Sequence, residues 1–450
     1  MTAPGLRPAS AKRWLVLRIL GAALVLMLTA VAALTSFGPL PAAGDGAAAS
    51  FVPVIAPTGS PTPVQTALPN PISRPPDARG VTETTAPFAS PTAFSPPPAP
   101  PSLWLSASSS FTVPCELHGD RIFVNVVVDG RPAAFLLDSS APYSSIDPAA
   151  ARSHDAPITL HTLQIGELRF NSLTAGVSRI AAGSAAYLGV QADGVLGQEL
   201  FSRYPVRIDY RGCAVTVFRD AQEAAASSPS PAAHIVPIQM IKGVPEVAVR
   251  LDGAAQGMAL LDTASDANAD VTLDFVMANG LTVSASLPEL RRWLPAGELS
   301  GETARVSSMA VGSSSVDHPV IGIITSGGRE AAGYVGNGFL QNFNVLFDEP
   351  AAQLILDPDA GAKSTSYDRS GAWLVIRGGA ITVKSVLAGS PAAKTPLSPG
   401  DRILAAGGTG ASDLDSVRAL LAGAPGTAVA IVYDHGGKRH SGVIVLKTLL

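Results

Sequence analysis

The sequence predicts a mostly β protein with two duplicated β lobes and a third, smaller β domain, preceded by one membrane helix and a proline-rich disordered stalk. Three observations lead to this prediction. An apolar strand that ends in an aspartate occurs twice, a glycine-bounded segment follows each copy, and a different strand-and-turn pattern comes after the second copy. Landmarks that recur in the same order indicate repeated structural units.

The first repeated landmark is a strand that runs into an aspartate. The chain reads FLLDSSA around Asp138 and ALLDTAS around Asp262, with an Asp-Gly pair about ten residues earlier, ending at Gly130 and Gly253. Such a pair between apolar runs predicts a hairpin turn, because glycine adopts positive φ without strain. A single aspartate in this place most often starts a turn or caps a helix, but the repetition favours a shared role for the two carboxylates.

The second repeated landmark is a short segment with glycine at both ends. Residues 194–197 read GVLG and residues 333–336 read GYVG. Twelve residues after the last glycine, each copy has another aspartate, Asp209 in the first and Asp348 in the second. Two landmarks in the same order predict two duplicated lobes.

These landmarks resemble those of the aspartic proteases of the retropepsin/pepsin superfamily, which carry one Asp-Thr/Ser-Gly motif in each lobe. The resemblance covers roughly residues 110–358. It implies two acid-protease-like lobes with Asp138 and Asp262 as the catalytic pair, and with Ser139 and Thr263 as the hydroxyls that brace the two loops. Two neighbouring carboxylates share one proton, so the ionised one activates a water while the protonated one polarises the scissile carbonyl. This mechanism needs no metal or cofactor.

The resemblance also implies that the segments ending at Gly197 and Gly336 pack behind the aspartate loops. The motif glycine, however, is Ser140 in the first lobe and Ala264 in the second. A Cβ at this place either strains the loop or is accommodated by a small shift. Two functions therefore stay open: an aspartic endopeptidase that takes an extended peptide or protein substrate, and a catalytically inactive binding or scaffold protein with the same fold.

Linkers and composition divide the chain into six predicted parts. They are residues 1–41 (basic end and transmembrane signal anchor), 42–102 (disordered linker rich in Pro, Ala and Ser), 103–220 (lobe 1), 221–233 (inter-lobe linker), 234–358 (lobe 2) and 359–450 (third domain). Within lobe 2, the segment around residues 287–296 predicts a short helical turn in which Trp293 serves packing and not ligand binding.

The N-terminal part has the layout of an export signal. A basic end precedes an apolar run over residues 14–34, which Arg18 alone interrupts and which is long enough to span a bilayer. The positive-inside rule places the N-terminus in the cytoplasm and the folded domains outside the membrane. The sequence favours a single-pass anchor, and cleavage of the run, which would make the protein secreted, is the open alternative.

Composition narrows the choice of partners. The formal net charge is −4, which gives no support to nucleic-acid binding. The seven histidines are scattered without metal-ligand spacing, so no metal site is predicted. The two cysteines, Cys115 and Cys213, bracket lobe 1, and an exported location permits a disulfide between them, with two free buried thiols as the alternative.

The third domain resembles a PDZ domain of the bacterial protease-associated type. A strand over residues 380–386 precedes GSPAA at 389–393 and LSPGDRIL at 397–404, and residues 413–421 fit the helix of that family. The resemblance places a peptide-binding loop at Gly371, Ala372, Trp373 and Leu374, with amides suited to a peptide C-terminus. A PDZ fold that packs on the lobes and binds no peptide is the alternative.

Overall fold

The computed structural model describes residues 100–153, 156–227, 230–282, 288–325, 331–361 and 367–450. All of them belong to one compact unit, Phe88–Leu450. The predicted anchor and nearly all of the predicted stalk lie outside the described residues. No helix within the described ranges has the length and apolar character needed to cross a membrane.

Lobe 1 is a β structure with three short helices. Its elements are β1 (Ser102–Trp104), β2 (Ser110–His118), β3 (Arg121–Val128), β4 (Arg131–Leu137), β5 (Ser145–Ile146), α1 (Pro148–Ala151), β6 (Ile158–Ile165), β7 (Leu168–Val177), α2 (Ala181–Leu188), β8 (Gly194–Leu196), α3 (Gln198–Phe201), β9 (Val206–Asp209) and β10 (Ala214–Phe218). The Asp-Gly hairpin forms between β3 and β4, where Asp129 and Gly130 have φ of 48° and 78°.

The segment between the lobes is partly helical. The sequence predicts an inter-lobe linker over residues 221–233, and α4 (Ala221–Ala226) forms within it. The side chain of Asp220 caps this helix by accepting a hydrogen bond from the Glu223 amide.

Lobe 2 repeats the design of lobe 1. Its elements are β11 (His234–Pro237), β12 (Gln239–Ile241), β13 (Val244–Leu251), β14 (Ala255–Asp262), β15 (Ala269–Thr272), α5 (Leu273–Ala278), β16 (Arg292–Leu294), β17 (Gly297–Leu299), β18 (Gly301–Arg305), β19 (Ser308–Val311), β20 (Ser314–Asp317), β21 (Val320–Ile324), β22 (Gly333–Gly336), α6 (Asn337–Leu340), β23 (Phe343–Asp348), a 3₁₀ turn (Glu349–Ala351) and β24 (Gln353–Pro358). The helical turn predicted around Trp293 is wrong, because Arg292–Leu294 is a strand that pairs with Gly297–Leu299.

Strand pairing confirms the duplication. The aspartate strand runs parallel to the glycine-bounded strand in both lobes, β4 with β8 and β14 with β22. The strand after each aspartate loop pairs antiparallel with that same partner, β5 with β8 and β15 with β22. It also pairs in parallel with a later strand, β5 with β7 and β15 with β21. The two lobes therefore share one topology around their aspartates.

A sheet shared by both lobes joins them. Its strands run in the order β2, β10, β9, β23, β24, β11, and β9 pairs with β23 at Ile208 and Val345. The repeated aspartates Asp209 and Asp348 end these two central strands. A disulfide links Cys115 to Cys213, whose Cα atoms are 5.0 Å apart, at the lobe 1 side of this sheet.

The third domain has its own sheet and its own apolar core. Its elements are β25 (Ala372–Arg377), β26 (Ala380–Val386), a 3₁₀ turn (Ala392–Lys394), β27 (Arg402–Ala406), β28 (Thr409–Gly410), α7 (Leu414–Leu421), β29 (Ala428–His435) and β30 (Lys438–Val445). The strand order is β25, β26, β27, β29, β30, so β25 is an edge strand. The helix predicted over residues 413–421 is α7, and the side chain of Asp413 caps it by accepting a hydrogen bond from the Ser416 amide.

Candidate active site

Two strand ends bring the repeated aspartates into the interior of the molecule. Asp138 directly follows β4, and Asp262 is the last residue of β14. Asp138 is 7% exposed and Asp262 3% exposed. The amide of Asp138 donates to the carbonyl of Leu196 on the glycine-bounded strand at 3.0 Å, which fixes the start of its loop.

Reciprocal hydrogen bonds between hydroxyls and backbone tie the two loops together. Ser139 Oγ donates to the carbonyl of Leu261 at 2.8 Å, and Thr263 Oγ1 donates to the carbonyl of Leu137 at 2.8 Å. In return, the Ser139 amide donates to Thr263 Oγ1 at 3.0 Å and the Thr263 amide donates to Ser139 Oγ at 3.3 Å. The hydroxyl of each lobe is thus hydrogen-bonded to the strand that carries the other lobe's aspartate.

The residues that replace the motif glycines keep their amides on the carboxylates. The Ser140 amide donates to Asp138 Oδ1 at 2.9 Å, and the Ala264 amide donates to Asp262 Oδ1 at 2.8 Å. Neither residue is among the described non-glycine residues with positive φ. The loops therefore accommodate a Cβ at these positions without a left-handed backbone conformation. In addition, Ser140 Oγ donates a hydrogen bond to Asp138 Oδ1 at 2.9 Å.

The last glycine of each glycine-bounded segment, Gly197 and Gly336, lies where no side chain fits. A Cβ on Gly197 would lie 2.7 Å from the carbonyl oxygen of Ala141, and one on Gly336 would lie 2.7 Å from that of Ser265. Contacts this short do not occur for real Cβ atoms without backbone movement. These segments pack directly behind the aspartate loops, as the sequence predicts.

Two amide side chains that sequence reasoning missed support the loops from behind. Gln198 Nε2 donates to the carbonyl of Ser139 at 2.7 Å, and Asn337 Nδ2 donates to the carbonyl of Thr263 at 2.7 Å. Both residues directly follow the last glycine of the second landmark. That repeated position, with an amide side chain in each copy, was the signal that could have identified them.

The two carboxyls interact electrostatically. Burial raises the pKa of Asp262 well above its usual range, and the charge of Asp138 raises it further. The Ala264 amide and Arg121 act in the opposite direction on the pKa of Asp262. A buried carboxyl of this kind retains its proton while its neighbour is ionised.

A buried arginine from lobe 1 holds the aspartate loop of lobe 2. Arg121, the first residue of β3, is 2% exposed. Its Nε donates to the carbonyl of Ala264 at 2.8 Å and its Nη2 donates to the carbonyl of Trp293 at 2.5 Å. Its Nη1 lies 3.3 Å from Asp266 Oδ2, and Asp266 also pairs with Arg292. Nothing in the local sequence around Arg121 indicated this role, because its partners lie more than 140 positions away.

Behind the loop of Asp138 lies another buried carboxyl. Glu349 follows β23 and accepts a hydrogen bond from Gln198 Nε2 at 3.2 Å. Burial raises the pKa of Glu349 to about 7, although the bond from Gln198 lowers it. Gln198 Oε1 and Glu349 Oε2 are buried atoms without a hydrogen-bond partner in the described part of the chain.

The substitution Glu349→Gln is expected to stabilise the protein at neutral pH. The pKa of Glu349 is higher folded than its reference value of 4.5, so stability falls as pH rises from 4.5 to about 7. Above that window the ionised carboxyl costs about 3 kcal/mol, which a neutral amide avoids. Urea unfolding should show almost no difference at pH 4.5 and a gain of about 2–3 kcal/mol at pH 7.5. The exposed Glu302→Gln is the control, and an equal gain at both pH values would contradict this account.

In the predicted peptide-binding loop of the third domain, the first two backbone amides donate hydrogen bonds to side chains of the same domain. The Gly371 amide donates to Asp368 Oδ2 at 2.7 Å, and the Ala372 amide donates to Ser370 Oγ at 3.0 Å. Trp373 and Leu374 continue into the edge strand β25. In this arrangement the carboxylate of Asp368 lies where the sequence predicts that a peptide carboxylate binds.

A cavity of about 610 Å³ lies where the third domain meets the lobes. Its lining includes Arg121, Trp293, Trp373 and Arg418, whereas Asp138 and Asp262 do not line it. Within the described ranges, no group of three or more His, Cys, Asp or Glu side chains is arranged to hold a metal ion.

Comparisons with known proteins give one family match and several similar solved structures. A family model described as a PDZ domain matches residues 382–434. A comparison with curated protein sequences gave no match. The chain is similar to an aspartic proteinase from Irpex lacteus, with 13% sequence identity and a TM-score of 0.36 over 57% of this chain and 100% of that chain. It is similar to a retropepsin-like aspartic protease from Rickettsia conorii, with 20% identity and a TM-score of 0.19 over 24% of this chain and 88% of that chain. It is also similar to the PDZ domain of a carboxy-terminal protease from Vibrio cholerae in complex with peptide, with 31% identity and a TM-score of 0.17 over 18% of this chain and 95% of that chain.

The duplicated topology and the matched region define the class of this protein. It has two lobes of one topology, similar to those of aspartic proteases, followed by a C-terminal PDZ domain. Both lobes belong to one chain, and each contributes one aspartate to the pair.

Proposed function

We propose that this protein is an aspartic endopeptidase whose PDZ domain binds peptides or the tails of its substrates. The observation that supports this most directly is the coupling of the two aspartate loops. Ser139 and Thr263 bond across the lobes, and the charge of Asp138 raises the pKa of Asp262. Two carboxyls that differ in this way supply one acid and one base.

In the proposed mechanism Asp262 is the acid and Asp138 the base. Asp138 is ionised, and its Oδ1 accepts bonds from the amide and the hydroxyl of Ser140. Asp138 takes a proton from a water molecule as the water oxygen attacks the scissile carbonyl carbon. Asp262 donates its proton to the carbonyl oxygen. The C–N bond of the resulting diol then breaks as Asp138 passes its proton to the leaving amine, and one diol hydroxyl returns a proton to Asp262 as the new carbonyl forms. No metal or cofactor takes part.

The proposed location is outside the cytoplasm. The basic end and apolar run of residues 1–41 support a single-pass membrane anchor, and residues 42–102 would space the folded domains from the membrane. Cleavage after the apolar run would instead release a secreted protein. In both cases the substrate is an exported peptide or protein.

A second candidate function is a catalytically inactive binding or scaffold protein. The observation that favours it is the near-complete burial of both carboxyls, 7% and 3% exposed, next to loops in which Ser140 and Ala264 replace glycine. A substrate reaches a dyad only where the reacting atoms are accessible. This candidate retains the PDZ domain as a peptide-binding module.

Cleavage of an internally quenched peptide library tests the two candidates. We expect hydrolysis within the range from about pH 3 to pH 7, with a maximum where one carboxyl is protonated and the other ionised. A peptide with a secondary alcohol in place of the scissile carbonyl should inhibit it, because it mimics the tetrahedral intermediate. No cleavage, together with no binding of this inhibitor, would favour the inactive scaffold.

A further inference from the structure

Trp293 packs against the loops that carry the two aspartates. Its side chain is 6% exposed and belongs to an apolar cluster that also contains Ala264, Leu136 and Val195, with Ala141 packed against it. Leu136 and Ala141 lie on either side of Asp138 in the chain, and Ala264 lies two residues after Asp262. The indole therefore shares one apolar cluster with residues that lie close to both aspartates in the chain.

Trp293 is carried by a hairpin that stands apart from the main sheets. Residues 292–299, which we call the latch hairpin, form a sheet of two strands that pair only with each other among the described strands. Side chains hold the base of this hairpin on the lobes. Arg121 Nη2 donates to the carbonyl of Trp293, and Arg292 pairs with Asp266 and Asp270. Backbone bonds from Leu290 to Gly301 and from Thr303 to Pro288 also connect the base of the hairpin to β18, while its two strands pair with no other described strand. Such a hairpin can tilt away from the lobes without breaking a main sheet.

The far end of the latch hairpin is bonded to the PDZ domain and to lobe 1. Lys384 of β26 pairs with Glu298 of the latch hairpin, and its Nζ donates to Tyr187 Oη at 2.5 Å. Tyr187 of α2 stacks on Trp293, with ring centroids 6.0 Å apart and planes 7° apart. Lys384 Nζ also lies 4.3 Å from the ring centroid of Trp373 on the edge strand β25. One cation thus joins three parts of the molecule.

The end of α2 also occupies the PDZ groove between the edge strand β25 and helix α7. A Cβ on Gly189, the residue after α2, would lie 3.7 Å from Leu414 Cβ on α7 and 3.9 Å from Ile376 Cγ1 on β25. On the same helix, Asp415 accepts a hydrogen bond from the Gly119 amide of lobe 1 at 3.1 Å. Peptides bind PDZ domains by adding to the edge strand in this groove. Here lobe 1 fills that place.

We propose that the PDZ groove is an internal docking surface for α2 and, through Tyr187 and Lys384, for the latch hairpin, so that docking keeps the dyad covered. Separation of the PDZ domain from this surface uncovers the aspartates. This inference rests on the proposed peptidase function for its effect on activity, but the docking itself can be measured without it. A peptide ligand of the PDZ groove must displace the end of α2.

The substitution Lys384→Met tests the docking surface in the whole protein. Met keeps an apolar stem of similar length but loses the charge that holds Glu298 and Tyr187. We expect amide hydrogen exchange over residues 292–299 to accelerate about tenfold, and kcat/KM for a quenched peptide to rise about tenfold, mainly through a lower KM. Glu298→Gln, which breaks the same pair from the other side, should reproduce both changes. Lys394→Met, at an exposed PDZ position, is the matched control and should change neither.

The outcomes separate the docking surface from the peptidase function. If both variants fold and exchange over residues 292–299 stays at the wild-type rate, the docking surface is overturned, whether or not the protein cleaves peptides. If exchange accelerates but no variant cleaves any peptide, the docking surface stands and the peptidase function fails. If exchange and cleavage rise together, both stand.

Discussion

Asp262→Asn is expected to lower kcat/KM for a peptide substrate by at least about 10³-fold, because the amide has no carboxyl proton to donate. Asn retains an Oδ1 that can accept from the Ala264 amide, so the loop and the fold should persist. Asp138→Asn should cause a loss of similar size by removing the base. The measurement is hydrolysis of a quenched peptide by each purified variant, with circular dichroism to establish that the protein is folded.

The control for this pair is Asp274→Asn, an exposed carboxylate in the first turn of α5, which should leave kcat/KM unchanged. The pH profile adds a second readout. Because burial and the charge of Asp138 raise the pKa of Asp262, the wild-type protein should show a bell-shaped profile that falls on the alkaline side as Asp262 ionises. Cleavage that survives both substitutions would show that another group performs the chemistry.

Arg121→Met is expected to destabilise the protein by about 3 kcal/mol, because it removes a buried guanidinium that is bonded to two backbone carbonyls and paired with the half-buried Asp266. The carbonyls of Ala264 and Trp293 would lose their charged donor in a site without solvent. Asp266 would keep only Arg292 as a close cationic partner among the pairs the structure describes. Urea unfolding at pH 7 measures the change in the free energy of unfolding.

Two further variants make the Arg121 prediction specific. Arg121→Lys keeps the positive charge but loses the planar set of N–H donors. It should therefore be more stable than Arg121→Met but less stable than the wild-type protein. Arg250→Met, at an exposed position of β13, should change the free energy of unfolding by less than about 0.5 kcal/mol. A loss below about 1 kcal/mol for Arg121→Met would mean that the guanidinium does not support the Asp262 loop as the structure indicates.

The proposed docking of the PDZ domain would account for the small exposure of the two aspartates. In the docked arrangement, Trp293 and Leu188 of α2 share one apolar cluster with Leu136 and Ala264, which lie close to Asp138 and Asp262 in the chain. The loops themselves keep the amide and hydroxyl hydrogen bonds that hold each carboxyl and join the two lobes. Hydrogen exchange of the latch hairpin, measured together with cleavage, therefore distinguishes the proposed covered enzyme from the proposed inactive scaffold.

Most of the architecture could be predicted from local sequence. An Asp-Gly pair needs positive φ, and an apolar strand that ends in aspartate places the carboxylate at a strand end, so both hairpins and both aspartates were found. The glycines at 197 and 336 were found because their segment occurs twice in the same order, and the structure shows that each approaches a neighbouring carbonyl more closely than a Cβ permits. The PDZ domain was found because its turns and strands lie close together in the chain.

The surroundings of the aspartate loops were decided by the tertiary structure alone, because they depend on contacts between distant parts of the chain. The partners of Arg121 at Ala264 and Trp293 lie 143 and 172 positions away, and no local pattern encodes such a pairing. The helical turn predicted around Trp293 failed for the same reason, since burial between two lobes and a PDZ domain outweighs local propensity. Short-range sterics and repetition therefore determined where the aspartates stand, whereas long-range packing determined what surrounds and covers them.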